Sequence, residues 1–297
     1  MISIIICSRS SDISPFLRDN IKATIGIDHE IIVIDNSNNQ HSIFSAYNWG
    51  VKQSKYPYLC FMHDDIEYHT NNWGRAVLNH LNNNKTGAIG IAGTPYHSYM
   101  PGAWWGSGIF YEHILQSSKI NREPVLKSNS NGLVCRQAVA LDGVWFCIKK
   151  SLFDLIKFDE TSFKGFHFYD MDICMQMHRL GVKMNCINDV LIHHTSIGNT
   201  DNTWIENALI FQKKWQQVLP ALCVDISFNQ LCRFEYKTLN EFIWICASNN
   251  WPNKKIYSLA LKYLLKFKRG YLFYKTPGYF IKFSFKMLFK KGAPFYS

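Results

Sequence analysis

The stretch Tyr58-Leu-Cys-Phe-Met-His-Asp-Asp65 joins an apolar run to a polar cluster at a sharp boundary. Tyr58–Met62 has the composition of a short buried strand, and His63, Asp64 and Asp65 end it. The same succession occurs twice earlier, where Ile2–Cys7 precedes Ser8 and Arg9, and Glu30–Ile34 precedes Asp35 and Asn36. Continuous apolar strands are typical of a parallel sheet covered on both faces. In such sheets ligands bind beyond the carboxyl ends of the strands, so the three polar clusters predict a binding crevice.

Helix signals separate the apolar runs. Ser14 is a candidate N-cap with Pro15 at the first helical position, and Ser42–Ser54 and Trp73–Asn82 also have helical patterns. Ala88–Ala92 then predicts a further strand. This alternation predicts an α/β fold with a mostly parallel sheet and helices on both faces.

The middle of the chain is less regular. Tyr96–Asn131 is rich in Gly, Ser, Asn and aromatic residues and predicts a long surface loop. Trp104, Trp105 and Trp145 are candidate platforms for stacking on a sugar ring, with simple packing as the alternative interpretation. Later predicted elements are a strand at Val139–Ile148 broken at Asp142-Gly143, a helix at Asp170–Leu180 ending at Gly181, strands at Val182–Ile187 and Val190–Ile192, and a helix at Trp204–Val218.

The formal net charge of +10 belongs to one segment of the chain. Trp251–Ser297 contains eleven Lys or Arg residues and no acidic residue, whereas the rest of the chain has 21 basic and 22 acidic groups. With 47% hydrophobic and 18% charged residues, a disordered protein is excluded. A nearly neutral body also argues against nucleic acid as a partner. We therefore divide the chain into a body, 1–220, and a helical, basic and aromatic C-terminal region, 221–297.

The C-terminal region predicts a membrane-binding surface. Thr276 and Pro277 mark the start of a helix that runs to about residue 290, and Lys282, Lys286 and Lys290 form one stripe on it. An upstream stripe contains Lys262, Lys266 and Arg269. Basic, aromatic-rich helices of this kind are typical of helices that lie at an anionic membrane surface. Packing of the region on the body and a homo-oligomer interface are the alternatives.

Cysteine usage and hydropathy indicate the compartment. The nine cysteines are scattered and contain no Cys-x-x-Cys pair, which indicates reduced thiols. The apolar start of the chain lacks the basic flank of a signal peptide, and no stretch approaches the roughly 18–20 apolar residues of a membrane span. We expect a cytoplasmic protein, peripheral on the inner face of the cell membrane.

Three sets of polar residues carry candidate chemistry. Asp64-Asp65 is suited to Mg²⁺ or Mn²⁺ on the phosphates of a nucleotide, and a solvated acidic turn is the alternative. Asp170 and Asp172 open a helix, where they either complement its dipole or supply a general base for an acceptor hydroxyl. His193-His194 ends a strand and would add a nitrogen ligand to a divalent site. The chain contains neither a P-loop motif nor a Gly-x-Gly-x-x-Gly motif.

The order of these motifs resembles that of the family-two glycosyltransferases with the GT-A fold, and especially their bacterial branch of capsule and surface-polysaccharide transferases. The matching parts lie within about residues 1–196. They are Ile2–Arg9, Glu30–Asn36, Ala46–Gly50 leading into Tyr58–Ile66, Leu141–Lys150, Phe158–Glu160, Tyr169–Arg179 and Ile192–Thr195. The resemblance implies a GT-A-like nucleotide-binding sheet, a nucleotide-sugar donor and a divalent cation.

The resemblance also implies roles for residues that bind the donor. Ser8 and Arg9 stand where the family's first strand meets the nucleotide. Asp35 matches the carboxylate that holds the nucleobase, and Asn48 lies in the helix before the metal motif. Asp142 belongs to a turn that lines the donor-sugar and acceptor region. With Asp64, these residues form the predicted donor-binding set.

The resemblance further implies the metal ligands and the catalytic base. Asp65 matches the last acid of the family's Asp-x-Asp motif, and His194 or His193 matches a histidine that completes the metal site. His63 replaces the first Asp of that motif and remains a candidate ligand to the metal or to ribose. In Tyr169-Asp170, the Asp matches the catalytic base, although Tyr stands where the family usually has Glu.

The predicted function is an inverting, metal-dependent glycosyltransferase of the hexosyltransferase type. It would move a sugar from a nucleoside diphosphate sugar, with UDP favoured, to a hydroxyl of a glycan or lipid-linked acceptor in surface-polysaccharide synthesis. A sugar-phosphate nucleotidyltransferase is one alternative, although Cys7–Ser11 lacks the Gly-rich phosphate loop expected of that class. A degenerate, non-catalytic partner subunit is the other, with His63 and Tyr169 as signs of lost activity.

Overall fold

The computed structural model describes residues 1–83, 85–117, 123–129, 131–196 and 198–267. The predicted helix that begins at Thr276, its basic stripe and Arg269 lie outside the described residues. Membrane binding through them therefore stays a prediction.

The described residues form strands and helices in an alternating order at the start of the chain. The strands are β1 (Ile2–Ser8), β2 (His29–Asp35), β3 (Tyr58–Met62), β4 (Ile66–Tyr68), β5 (Thr86–Gly90), β6 (Ala92–Thr94), β7 (Tyr96–His97), β8 (Tyr111–Gln116), β9 (Val125–Ser128), β10 (Cys135–Ala138), β11 (Ala140–Leu141), β12 (Trp145–Lys149), β13 (Lys183–Ile187), β14 (Ile192–His194) and β15 (Ala221–Leu222). The helices are α1 (Pro15–Thr24), α2 (Ile43–Gln53), α3 (Trp73–Leu81), α4 (Tyr169–Arg179), α5 (Asn202–Trp215), α6 (Phe228–Ser248) and α7 (Asn253–Lys266), with a 3₁₀ helix at Lys150–Asp154.

The central sheet has the strand order β10-β13-β5-β12-β3-β1-β2. β1 is parallel to β2 and β3, and β5 is parallel to β13. β12 is antiparallel to both of its neighbours, and β10 is antiparallel to β13. β2, β1, β3, β5 and β13 thus run in one direction, which confirms the predicted mostly parallel sheet.

Helices cover both faces of the central sheet. Ile4 and Ile6 of β1 pack in one cluster with residues of α1 and α3, whereas Ile5 packs in a second cluster with residues of α2 and α4. This division follows from the strand, in which successive side chains point to opposite faces. Gly50 allows α2 to lie close to β1, because a Cβ atom there would be 2.4 Å from Ile5 Cγ2. The sequence prediction of a two-faced α/β fold is confirmed.

A second sheet lies beside the first and carries candidate site residues. Its strand order is β11-β6-β8-β14-β4, with β9 paired to β8. The predicted break at Asp142-Gly143 separates β11, which belongs to this second sheet, from β12 in the central sheet. The break therefore carries the chain from one sheet to the other.

The prediction of a long surface loop at Tyr96–Asn131 is wrong. The segment contains β7, β8 and β9, and Met100 and Trp104 within it are buried. Glu235 of α6 anchors its first part, since its carboxylate accepts hydrogen bonds from the N–H groups of Tyr99 at 2.8 Å and Met100 at 3.0 Å. A buried acceptor replaces water for these backbone groups, so the segment does not need to lie on the surface.

The helices after residue 220 pack on the same core as the sheets. Leu239 and Phe242 of α6 and Ile256 and Tyr263 of α7 belong to the cluster that contains the residues of α2 and α4. The packing of α6 and α7 agrees with the predicted helical C-terminal extension, and the division at residue 220 stays a prediction. Within the described residues, no helix combines the length and apolar character needed to cross a membrane.

Candidate active site

The carboxyl ends of β1, β2 and β3 meet at one edge of the central sheet. Ser8 is the register partner of Asp35, and the register of β1 with β3 places Asp64 level with Ser8. Asp64 Oδ2 accepts hydrogen bonds from Ser8 Oγ at 3.0 Å and from the Arg9 backbone N–H at 3.2 Å. The Arg9 guanidinium lies 3.9 Å from Asp64 Oδ1 and is mostly exposed. The structure therefore brings these predicted residues together and leaves a cation available to an anionic ligand.

His63, Asp65 and His194 form a group of metal-ligating atoms. Antiparallel pairing of β14 with β4 sets His194 opposite Ile66 and hence beside Asp65. Asp65 Oδ1 lies 3.5 Å from His194 Nε2 and 3.8 Å from His63 Nδ1. All three ligand atoms lie within 4.8 Å of one another. Two imidazole nitrogens and a carboxylate oxygen form a donor set suited to a divalent cation.

Both imidazoles of this group are oriented through their distal nitrogens. The Tyr169 hydroxyl donates to the Gly143 carbonyl at 2.9 Å, so His63 Nε2, 3.2 Å from that hydroxyl, is the donor to it. His194 Nδ1 lies 3.2 Å from Gln116 Oε1 and donates to this amide oxygen. The remaining imidazole nitrogens face Asp65. Metal-ligating histidines are commonly held in this way, so the residues present fit a divalent cation.

The electrostatic environment favours the ligating forms of two of these side chains. Burial lowers the pKa of His63, and the neighbouring His194 lowers it further, whereas Asp65 opposes the shift. Burial raises the pKa of Asp65, but hydrogen bonds with His194 and Ser196 outweigh this effect and hold the pKa well below its usual range. At neutral pH, His63 is neutral and Asp65 is ionised, as metal binding requires.

His193 lies on the opposite face of β14 from His194, because successive strand residues alternate. Its register partner is Glu67, and its Nδ1 lies 3.8 Å from Glu67 Oε2. The structure therefore places His194 with Asp65 and His193 in a different group of side chains.

Asp170 lies in the first turn of α4 and faces the Asp142-Gly143 turn. Its Oδ2 accepts a hydrogen bond from the Gly143 N–H at 2.9 Å, and its Oδ1 accepts one from the Met171 N–H at 2.9 Å. Burial raises the pKa of Asp170 to about 7, with the negative charge of Asp142 adding to the shift and the backbone hydrogen bonds opposing it. A carboxyl group that titrates near neutral pH is suited to general base catalysis.

Asp172, the other acid of this helix turn, is held by structural contacts. Its Oδ1 lies 2.7 Å from Lys214 Nζ and accepts a hydrogen bond from Trp215 Nε1 at 2.8 Å. Its Oδ2 accepts one from Gln176 Nε2 at 2.8 Å, and its side chain is 1% exposed. The structure thus separates two acids that are equivalent in the sequence, and only Asp170 faces the candidate site.

The two departures from the family's motif touch each other. His63 stands where the family usually has Asp, Tyr169 stands where it has Glu, and their side chains meet at 3.2 Å. Tyr169 also requires Gly143, because a Cβ atom at that position would lie 2.1 Å from the Tyr169 hydroxyl. His63, Tyr169 and Gly143 therefore form one packed unit between the metal-ligating group and Asp170.

The predicted stacking residues mainly have packing roles. Trp145 is fully buried and its indole N–H donates to the Tyr68 hydroxyl, so of the two interpretations the structure supports packing at this position. The Trp104 indole donates to Asp142 Oδ2 at 2.8 Å, and the Trp105 indole donates to Glu241 Oε1 at 2.7 Å. Trp104 therefore helps to position the predicted donor-site carboxylate.

The other two predicted donor residues lie on different elements. Asp35 ends β2, and hydrogen bonds from Ser37 lower its pKa, so it is ionised at neutral pH. The Asn48 amide donates to the Phe158 carbonyl at 2.8 Å and accepts from the Phe158 N–H at 3.0 Å. Asn48 thereby joins α2 to the segment before α4, and donor contact by Asp35 and Asn48 stays a prediction.

Sequence reasoning missed two residues of the site. Gln116 orients His194, but a single Gln at the end of β8 carries no recognisable motif. Phe166 is 47% exposed and its ring centroid lies 5.4 Å from that of His63. The only sequence feature that could have indicated Phe166 was the aromatic, irregular segment before Tyr169. An exposed aromatic ring beside a polar site is suited to contact a sugar.

Comparison with solved structures identifies the fold. The crystal structure of S. aureus TarS 1-349 matches with a TM-score of 0.52 and 11% sequence identity, covering 84% of this chain and 73% of that chain. The crystal structure of GalNAc-T7 with UDP, GalNAc and Mn²⁺ matches with a TM-score of 0.51 and 11% identity, and covers 90% of this chain but only 57% of that chain. These similarities show the GT-A fold.

Comparison with sequences identifies the family. No curated protein sequence matches the chain. A model of the glycosyltransferase-like family matches residues 3–215, which include both the His63–Asp65–His194 group and Asp170. The match spans more than two thirds of the chain, so this protein belongs to the glycosyltransferase-like family.

Proposed function

We propose that the protein transfers a hexosyl group from a nucleoside diphosphate sugar to an acceptor hydroxyl, with inversion at the anomeric carbon. The observation that carries the proposal is a chain of three hydrogen bonds between the metal-ligating group and Asp170. It runs from His63 Nε2 to the Tyr169 hydroxyl at 3.2 Å, from that hydroxyl to the Gly143 carbonyl at 2.9 Å, and from the Gly143 N–H to Asp170 at 2.9 Å. These hydrogen bonds thus fix the position of the proposed general base relative to the proposed cation site.

The donor would lie across the carboxyl ends of β1–β3. The proposed roles are nucleotide contacts for Ser8, Arg9, Asp35 and Asp64, and cation ligands in Asp65, His63 and His194. A bound Mn²⁺ or Mg²⁺ would offset the negative charge that develops on the leaving nucleoside diphosphate. The GalNAc-T7 structure contains UDP and Mn²⁺, which supports a UDP-sugar donor for this chain.

Asp170 would remove the proton from the attacking acceptor hydroxyl. Its raised pKa keeps it a strong enough base at neutral pH while a sufficient fraction remains ionised. Asp142 contributes to this raised pKa, and Trp104 positions Asp142. Asp142 is therefore proposed to have two roles: it contacts the donor sugar, and it raises the pKa of Asp170.

An active site is supported over a degenerate one by the contact between His63 and Tyr169. If both family residues had been lost by decay, no particular relation between their replacements would be expected. Instead, Tyr169 accepts the hydrogen bond that orients His63 towards Asp65. Oriented ligands of this kind are a feature of working metal sites.

The acceptor is proposed to be a glycan or lipid-linked glycan in surface-polysaccharide synthesis, reached at an anionic membrane. The eleven basic residues of the C-terminal region support this location. Co-sedimentation with anionic phospholipid vesicles tests it. Replacement of Lys282, Lys286 and Lys290 by Gln should reduce binding, and unchanged binding would contradict a membrane role for this stripe.

A donor screen tests the transfer reaction. UDP-, GDP- and dTDP-sugars are incubated with and without Mn²⁺, and released nucleoside diphosphate is measured. A parallel incubation of nucleoside triphosphates with hexose 1-phosphates is assayed for pyrophosphate. Metal-stimulated release of a nucleoside diphosphate supports transfer, whereas pyrophosphate formed in the parallel incubation would indicate a nucleotidyltransferase. Asp170→Asn should lose at least about 100-fold in turnover, and Asp154→Asn, an exposed carboxylate on the 3₁₀ helix, should retain it. Undiminished turnover in Asp170→Asn would remove that residue from the role of base.

A further inference from the structure

A second group of metal-ligating side chains lies on the other face of the β4–β14 strand pair. Glu67 belongs to β4, His69 follows that strand directly, and His193 belongs to β14. Glu67 Oε2 lies 3.7 Å from His69 Nε2 and 3.8 Å from His193 Nδ1. The three ligand atoms all lie within 4.8 Å of one another.

The backbone holds this group in place. Glu67 and His193 are register partners across the two antiparallel strands. The His69 N–H donates to the Leu191 carbonyl at 2.9 Å and so continues the pairing beyond β4. The three side chains therefore project from a hydrogen-bonded ladder and not from a free loop.

His193 is oriented in the same way as His194. His193 Nε2 lies 2.7 Å from Ser117 Oγ, while its Nδ1 faces Glu67. The adjacent residue, Gln116, makes the corresponding contact with His194 Nδ1. Two consecutive residues at the end of β8 thus orient two consecutive histidines towards two different carboxylates.

We propose that Glu67, His69 and His193 bind a Zn²⁺ ion, separate from the cation of the His63–Asp65–His194 group. Two imidazoles and one carboxylate are a recognised zinc ligand set, with water as the fourth ligand. Zinc bonds of about 2.0–2.2 Å place tetrahedral ligand atoms about 3.3–3.5 Å apart. The separations of 3.7 and 3.8 Å between Glu67 Oε2 and the two histidines need shifts of only a few tenths of an ångström, and the two imidazole nitrogens lie within 4.8 Å of each other. The side chain of His69 is 40% exposed, so the ion can enter from solvent.

Such an ion would cross-link the strands that supply the active-site ligands. Asp65 precedes Glu67 by two residues, and His194 follows His193 directly. A cation shared by Glu67 and His193 would hold the strands in register from the opposite face. The site would therefore stabilise the geometry of the first group, and its existence does not depend on the proposed transferase activity.

Zinc titration against a competing chromogenic chelator tests the proposal. All proteins carry Asp65→Asn, which weakens the first group, and are freed of metal with EDTA. The parent and a matched control with His29→Ala, an imidazole outside both groups, should each bind one equivalent of Zn²⁺. Added His69→Ala or Glu67→Gln should weaken this binding about tenfold or more. Circular dichroism of the metal-free proteins verifies that each variant is folded.

Thermal unfolding provides a second measurement. Zn²⁺ in excess over its dissociation constant should raise the Tm of the parent and the His29→Ala control by several degrees, because an ion that binds the native state stabilises it against unfolding. At the same Zn²⁺ concentration, the rise should be clearly smaller in His69→Ala and Glu67→Gln. A parent that binds no zinc, or equal zinc affinity in all four proteins, would overturn the proposal and leave Glu67 in ordinary ion pairs with the two histidines.

Discussion

The rate of sugar transfer should depend on pH through Asp170, and Asp142→Asn should move that dependence to lower pH. Burial and the charge of Asp142 raise the pKa of Asp170 to about 7. A general base acts in its ionised form, so kcat/KM should rise with pH and reach a plateau above the pKa. Below the pKa, the ionised fraction changes about tenfold per pH unit.

The expected shift follows from removing one negative charge. Asp142 directly precedes Gly143, whose N–H donates to Asp170 at 2.9 Å. A neighbouring like charge of this kind raises a carboxyl pKa by about one unit, so its removal should lower the midpoint by about one unit. At about pH 6, kcat/KM relative to its own plateau should then be about 5-fold higher in Asp142→Asn than in the wild type, and the ratio should approach ~10-fold at lower pH. A bound divalent cation lowers both midpoints, so the proteins are compared at the same saturating Mn²⁺ concentration.

The assay measures nucleoside diphosphate release by chromatography at low donor concentration, which gives kcat/KM directly. The midpoint, not the plateau, is the readout, because Asp142 is also a proposed donor contact. Asp154→Asn serves as the control for loss of an unrelated carboxylate and should keep the wild-type midpoint. Equal midpoints in wild type and Asp142→Asn, or an unchanged pH profile in the residual activity of Asp170→Asn, would refute the assignment of Asp170 as the titrating base.

Three further predictions concern the supporting contacts. Tyr169→Phe removes the hydroxyl that orients His63 and should weaken Mn²⁺ binding about tenfold or more in calorimetry; equal affinity would contradict this orienting role. Glu235→Ala leaves the buried N–H groups of Tyr99 and Met100 without their acceptor and should lower the free energy of unfolding by about 3–5 kcal/mol in urea denaturation. Glu206→Ala, on the exposed side of α5, is the control and should change the free energy of unfolding by less than about 0.5 kcal/mol. Lys214→Met leaves the Asp172 carboxylate buried without its cation, and burial raises the pKa of Asp172, so the stability loss should be larger at about pH 8 than at about pH 5. A loss that is independent of pH would contradict the assignment of Asp172 as the unpaired group.

Local patterns were sufficient for much of the fold. Ser14 caps α1 through a hydrogen bond from the Leu17 N–H at 3.1 Å, with Pro15 at the first helical position as predicted. The apolar runs at Ile2–Cys7 and Tyr58–Met62 became neighbouring parallel strands. Capping chemistry and continuous apolar runs act over a few residues, which is why a single sequence reveals them.

Long-range contacts were not predictable in the same way. Tyr96–Asn131 has the composition of a loop, but Glu235 lies more than 100 residues further along the chain and anchors its first part. For Trp145 the sequence left stacking and packing open, and its complete burial supports packing. Composition indicates what a segment could do when exposed, whereas burial depends on which distant elements cover it.

The amino-acid sequence by itself determined the class of the protein: an α/β fold with polar residues after three strands, and an acid–histidine set typical of the glycosyltransferase-like family. Only the tertiary structure decided which of the equivalent residues come together in the candidate site. Strand pairing turns His194 towards Asp65 and His193 towards Glu67, and helix packing exposes Asp170 to the site while burying Asp172 against Lys214. The physical reason is that metal ligation and pKa depend on distances of a few ångströms between residues far apart in the chain, and these distances are set by packing.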